Sequence, residues 1–133
     1  MNAVEIEEAI SALAEQPFDP DAFPYAFLEA FGHKATTIRR LSSGDTNKSD
    51  LGGVLSTRNI HLKVCPEGEV TATLAALRAS PATTRHKVKF VLATDGRELQ
   101  AEDLASGEVV VCDYANLSDH FGFFLALAGI TTV

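Results

Sequence analysis

The sequence predicts an α/β chain of the α+β kind, a mixed β-sheet flanked by helices. Two observations carry this. Ahead of about residue 42 the apolar residues recur at helical spacing, whereas from Asp50 onward short apolar runs alternate with turns. Between the first and second groups of β-like runs lies one Ala- and Leu-rich stretch, placed as a crossover helix between a hairpin and a three-stranded meander.

Each element follows from local chemistry. Residues 3–15 place Val4, Ile6, Ala9, Ile10, Leu13 and Ala14 near helical spacing. Glu5, Glu7 and Glu8 come early, where carboxylates suit the positive helix end. The run Pro17-Phe18-Asp19-Pro20 breaks this helix, and Asp19 or Asp21 can cap a second one that carries Phe27, Leu28, Glu29 and Phe31 and stops at Gly32. A third short helix is expected over Thr37–Leu41, followed by a loop over 42–49 with turn chemistry and no apolar period. Val54 and Leu55, then Ile60, Leu62 and Val64, read as two strands joined by a turn around Ser56–Asn59. Residues 69–79 form the crossover helix, which Pro81 ends. Lys87–Ala93 reads as a buried strand, Asp95-Gly96 as a hairpin turn, and Arg97–Leu104 as the partner strand. Ala105-Ser106-Gly107 turns into a third strand, Glu108–Tyr114, and a residue among Asn116–Asp119 caps a final apolar helix, Phe121–Ala128.

Length and composition bound the function classes. The 133 residues fit a single domain, whose usual size is about 100–150, and 46% of them are hydrophobic, enough for an ordinary core. No apolar run approaches the roughly 20 residues of a membrane-spanning helix, and the acidic N-terminus lacks the basic start of a secretory signal, so a soluble, cytoplasmic chain without membrane contact is expected. The apolar end, Gly129–Val133, carries no stop signal, and the chain is expected to be the front piece of a longer protein. Cys65 and Cys112 lie far apart in β-like runs and read as free core thiols. A formal net charge of −7 argues against a domain whose main work is non-specific phosphate binding.

The constellation that can carry chemistry is Asp50 followed by His61-Leu62-Lys63. Strand side chains alternate, so His61 and Lys63 share a face, and the hairpin can bring Asp50 beside them. An acid, a second ligand and a lysine converging in this way match nucleases that hydrolyse phosphodiesters. There carboxylates hold Mg²⁺, the metal polarises the phosphoryl oxygen and activates water, and lysine orients the water or balances charge. Glu29 on the second helix could add a carboxylate. The usual pattern has Glu or Asp where this chain has His61, and imidazole is a poor Mg²⁺ ligand. As spacing alone, the set also suits a solvated strand face with Asp50 as a turn residue.

Other candidates are plainer. Ser42–Asp45 and Leu51-Gly52-Gly53 contain glycine without a phosphate-loop pattern. Arg39, Arg40 and Lys48, then Arg85, His86, Lys87 and Lys89, are local basic clusters that could meet phosphate, although short clusters of this kind are common on ordinary surfaces. Asp119-His120 has no nearby nucleophile and reads as a helix cap.

Four stretches in order carry a family resemblance: Phe27-Leu28-Glu29-Ala30-Phe31-Gly32, Asn47-Lys48-Ser49-Asp50-Leu51, Lys89–Gly96 and Asp119–Phe124. Together they resemble the N-terminal domain of MmeI-like type II restriction-modification proteins and of the related class I SAM-dependent adenine DNA methyltransferases. The similarity runs from about Pro17 to the chain end. It implies a PD-(D/E)xK endonuclease-like fold at the front of a polypeptide that continues into a helical spacer, an N6-adenine methyltransferase domain and a target-recognition region, with DNA as partner through that whole protein. SAM would belong to the parent only, since neither an Asn-Pro-Pro-Tyr motif nor a glycine-rich SAM loop occurs here. The resemblance puts the nuclease acid on Asp50, the lysine on Lys63, the supporting helical glutamate on Glu29 and the middle acidic ligand on His61, with a gap after Asp50 one residue longer than the active pattern. The expectation is a fold kept and a nuclease weakened or lost. Two alternatives stand beside it: an active endonuclease with His61 and Asp50 holding Mg²⁺ or Mn²⁺, and a non-catalytic scaffold or DNA-steadying module.

Overall fold

The structure, a computed structural model, describes residues 1–130. Its elements run α1 (Ala3–Glu15), α2 (Phe23–Ala30), α3 (Ala35–Ser42), β1 (Val54–Ser56), β2 (Ile60–Val64), α4 (Val70–Ala79), α5 (Pro81–Arg85), β3 (Phe90–Thr94), β4 (Glu98–Asp103), β5 (Val109–Asp113) and a closing 3₁₀ segment, Tyr114–Ala128. The five strands form one mixed sheet in the order β1-β2-β3-β4-β5. Only β2 and β3 pair in parallel, across the α4–α5 crossover, and the other neighbours are antiparallel. The predicted mixed sheet flanked by helices is therefore observed.

The two faces of the sheet are covered by different helices, as strand alternation requires. Ile60, Leu62, Phe90, Leu92, Leu99 and Ala101 point one way and join α1, α2 and the 3₁₀ segment in the main core. Five phenylalanines tie this layer together: Phe27 meets Phe124 edge-on at 5.2 Å, and Phe124 reaches Phe31, Phe90 and Phe123. Val91 and Ala93 point the other way and pack beneath Val70, Leu74 and Leu77 of α4. Every residue of β3 is buried, the mark of a central strand covered on both faces.

Caps set the boundaries. Asn2 and Glu5 form a capping box at the start of α1. Asp19 accepts from the backbone of Asp21 and Ala22 in the turn that enters α2, but neither Asp19 nor Asp21 caps the helix: its N-cap is Ala22, without a side-chain bond, because the Asp19 carboxylate is spent on the turn ahead of it. Gly32, at φ 89°, closes α2 with the paired Gly32-to-Glu29 and His33-to-Leu28 bonds of a Schellman end.

Several expectations shift. α3 takes in Ala35 and Thr36 at its start and Ser42 at its end. Pro81 ends α4 but also opens an unforeseen α5, because Ser80 caps the new helix and proline at its first position loses no hydrogen bond. The buried strand starts at Phe90 rather than Lys87, since 81–87 is used to wind and close α5. The final helix begins seven residues before Phe121, at Tyr114, and winds as 3₁₀ turns throughout. Cys65 is buried and Cys112 half-buried, and both are free. Among the described residues no helix is long and apolar enough to cross a membrane. Of the apolar end Gly129–Val133, residues 131–133 lie outside the described residues.

Candidate functional site

The loop ahead of β1 is organised by its own side chains. Asn47 Oδ1 accepts from the backbone of Ser49 and Leu55 while its Nδ2 donates to the Gly53 carbonyl, so one amide clasps the loop along the strand. Ser49 Oγ accepts from the backbone N–H of Leu51 and Gly53 at 3.3 and 3.1 Å. Gly53 lies so close to β2 that an added Cβ would stand 2.3 Å from the Leu62 carbonyl oxygen, so no side chain fits there without moving backbone.

His61 is fully buried in the middle of β2 beneath α5. Its Nδ1 lies 2.9 Å from Thr83 Oγ1 and its Nε2 2.7 Å from Ser49 Oγ. Hydrogen-bond accounting fixes the tautomer. The Thr83 hydroxyl donates its one proton to the Leu77 carbonyl at 2.7 Å, so it can only accept from the ring. Nδ1 therefore carries the proton and donates to Thr83, and Nε2 accepts from the Ser49 hydroxyl. Both ring nitrogens are engaged, and the imidazole is neutral. Burial holds its pKa below the ordinary histidine value, with the Asp50 carboxylate opposing that shift and the Lys63 ammonium adding to it.

Asp50 is exposed and reaches across to α5, where Ser80 Oγ donates to its Oδ1 at 2.6 Å. That bond leads the influences that hold the Asp50 carboxyl below its usual pKa, with the backbone of Ala82 contributing. Ser80 in turn accepts from Ala82 N–H, so Asp50 closes the start of α5 through the capping serine.

Lys63 is half-buried on the same face of β2 as His61. It borders a cleft of about 270 Å³ with Gly52, Gly53, Asp21, Pro24 and Tyr25. Asp50 and Lys63 thus lie near enough to His61 for their charges to act on it. Glu29 is elsewhere: it lies near the C-terminal end of α2, exposed, on the groove shared with Met1, Ala9 and Leu13. From the approach to α2 it is Asp21 that shares the Lys63 cleft. Among the described residues no three His, Cys, Asp or Glu side chains gather with metal-holding geometry. Sequence reading passed over Asn47, Ser49, Ser80 and Thr83. The Ser-Pro pair at 80–81 carried a readable signal, being an N-cap followed by proline at the first helical position.

The family described as MmeI, N-terminal domain, matches residues 1–133. DNA methyltransferase A of Bacillus subtilis (strain 168) is similar, at 25% identity over 134 residues, a match that takes in 100% of this chain and 15% of the relative. The chain thus spans about a seventh of the length of that curated relative. No solved structure matches. With the family matched over all of its residues, the chain belongs to the MmeI N-terminal domain family.

Proposed function

We propose that this chain is the nuclease-like front domain of a restriction-modification-type DNA (adenine-N6) methyltransferase, cytoplasmic, and that its cleavage site is silent. The order of parts supports a PD-(D/E)xK-like reading. An acid precedes the first strand of a hairpin, His-x-Lys stands on the second strand, and a helical crossover leads to a parallel third strand. The single observation that carries the silence is the state of His61. Where an active site would present a carboxylate to Mg²⁺, this chain presents a neutral ring whose two nitrogens are bound to Ser49 and Thr83. Asp50 is left as one carboxylate already bonded to Ser80, and Mg²⁺ favours oxygen ligands in octahedral number. The residues present do not suit a resident Mg²⁺ or Mn²⁺. SAM would serve only the methyltransferase part of the parent.

In this reading Asp50, His61 and Lys63 keep their places for architecture. Asp50 and His61 fasten the Asn47–Gly53 loop to the start of α5 and to Thr83, and the domain serves as a module packed against the helical spacer and methyltransferase parts of the polypeptide. The test is plasmid cleavage by the complete polypeptide with SAM and Mg²⁺ or Mn²⁺, wild type beside Lys63→Ala. Methylation without cleavage in both proteins is expected. Cleavage that disappears with Lys63→Ala would overturn the reading and make this an active endonuclease domain.

A further inference from the structure

The chain is acidic overall, yet the structure draws two sequence-distant basic clusters to one pole, around the β1–β2 turn at Thr57-Arg58-Asn59. On one side of the turn, Arg40 of α3 and Lys48 border a groove of about 380 Å³ whose other walls include Thr37, Thr46, Thr57 and Asn59. On the other side the turn is bound to the end of α5. Arg58 N–H donates to the His86 carbonyl at 2.9 Å, and the Asn59 carbonyl accepts from Lys89 and Phe90. Arg85, Lys87 and Lys89 are therefore fixed beside Arg58, and all four are exposed.

The backbone adds a second, independent observation. Among the described residues two non-glycine positions have positive φ, Arg58 at 67° and Lys87 at 53°, and both lie here. Each occupies a place where glycine fits without strain. Arg58 sits in a short hairpin connection, after which Asn59 N–H closes on the Ser56 carbonyl. Lys87 stands just past the α5 cap, with its N–H on Thr84 and the next N–H on Thr83 in a Schellman end. Left-handed backbone in a residue with a side chain is strained, and such strain concentrates at functional sites. At both strained positions the side chain retained is a cation.

Pairing sharpens the contrast. Elsewhere Arg78 and Arg97 are bound to Glu102 and Glu67. Among the described residues, Arg40 alone at the pole has such a partner, Asp45, in a pair that is 65% exposed on both sides, while Lys48, Arg58, Arg85, Lys87 and Lys89 make no salt bridge. Unpaired Arg and Lys interleaved with Thr and Asn hydroxyls and amides are the groups that hold phosphate oxygens without reading bases.

We propose that this pole, centred on Arg58 and Lys87 with Lys48 and Arg40 across the turn, is a sequence-independent docking surface for the phosphate backbone of duplex DNA. It deepens the proposed function, resting on the reading that the domain works on DNA, but it does not depend on cleavage, since none of its cations is Asp50, His61 or Lys63. The net charge of −7 does not oppose it, because these six cations gather at one pole and the field at short range is local.

The test uses the complete polypeptide and a short mixed-sequence duplex, with affinity followed as a function of salt. Arg58→Gly with Lys87→Gly removes two cations and relieves two strained positions, so folding is not at risk and the melting temperature should hold or rise. Binding should weaken about tenfold near 0.1 M salt, and the slope of log K against log salt should become shallower by about 1–2. Lys48→Glu, across the turn, should act in the same direction. Unchanged affinity and slope in both variants would overturn the proposal, as would loss of binding to phosphatidylserine vesicles with DNA binding intact, which would assign the pole to an anionic membrane. Cleavage dependent on Lys63 would overturn the silent-nuclease reading and leave this one standing.

Discussion

Thr83 Oγ1 stands 2.9 Å from His61 Nδ1 and donates its own proton to the Leu77 carbonyl, so it can serve the imidazole only as an acceptor. That one relationship fixes the ring as the Nδ1–H tautomer and leaves Nε2 for the Ser49 hydroxyl. His61 thereby becomes the pin joining the β1 approach, β2 and α5.

Thr83→Val is expected to destabilise the protein by about 1–3 kcal/mol, the cost of leaving a buried donor without a partner. Two groups lose their bond, His61 Nδ1–H and the Leu77 carbonyl. Urea unfolding of the variant beside wild type measures it, and an unchanged midpoint would mean that the ring is held some other way.

His61→Glu supplies the acidic residue that the proposed nuclease reading would need there, and it is expected to fail as a repair. The carboxylate would enter a fully buried position facing hydroxyls, and burying a charge without a counter-ion costs several kcal/mol. The expected outcome is a lower melting temperature with no Mn²⁺ binding by calorimetric titration. A stable variant that binds Mn²⁺ and cleaves DNA would show that only the ligand had been missing.

The depressed pKa of His61 makes stability pH-dependent in a definite direction. The unfolded chain takes up a proton near the ordinary value of 6.5, and the folded ring does so only at lower pH. The unfolded state therefore binds more protons below about that point, and stability falls as pH falls. The contribution is complete above pH 6.5 and is lost progressively as pH falls through the lower folded value. Urea midpoints between pH 7.5 and 5 should drop with a slope of at most about one proton, and His61→Gln should flatten that part of the profile.

Gly53→Ala is expected to cost about 1–3 kcal/mol or to detach the loop, because its Cβ would overlap the Leu62 carbonyl at 2.3 Å. Thermal unfolding gives the cost. Faster amide exchange at Leu55, whose N–H is held by Asn47, would report the detachment.

Phe90→Asp and Val91→Asp should each leave the protein unfolded by circular dichroism. Both side chains are buried, on opposite faces of the central strand. A single unpaired charge there costs several kcal/mol, comparable to the whole net stability of a small domain.

The sequence by itself determined the order and kind of most elements, because their signals are local. Apolar spacing marked α1 and α4, Gly32 marked the end of α2, and the Asp95-Gly96 pair marked the β3–β4 hairpin. It also determined that His61 and Lys63 share a face, since strand side chains alternate whatever the fold. Three things were decided only by tertiary structure. Burial of the His61 ring depended on α5 folding over it, and α5 is too short to announce itself by periodicity. The separation of Glu29 from the Lys63 cleft, with Asp21 in its place, depended on how α2 lies along the sheet. The meeting of Arg58 with Lys87 depended on parallel pairing of β2 and β3, which brings together residues that no local pattern connects. Local periodicity carries information about neighbours along the chain; contacts made across the crossover are set by packing, and there the side chains acquire their partners.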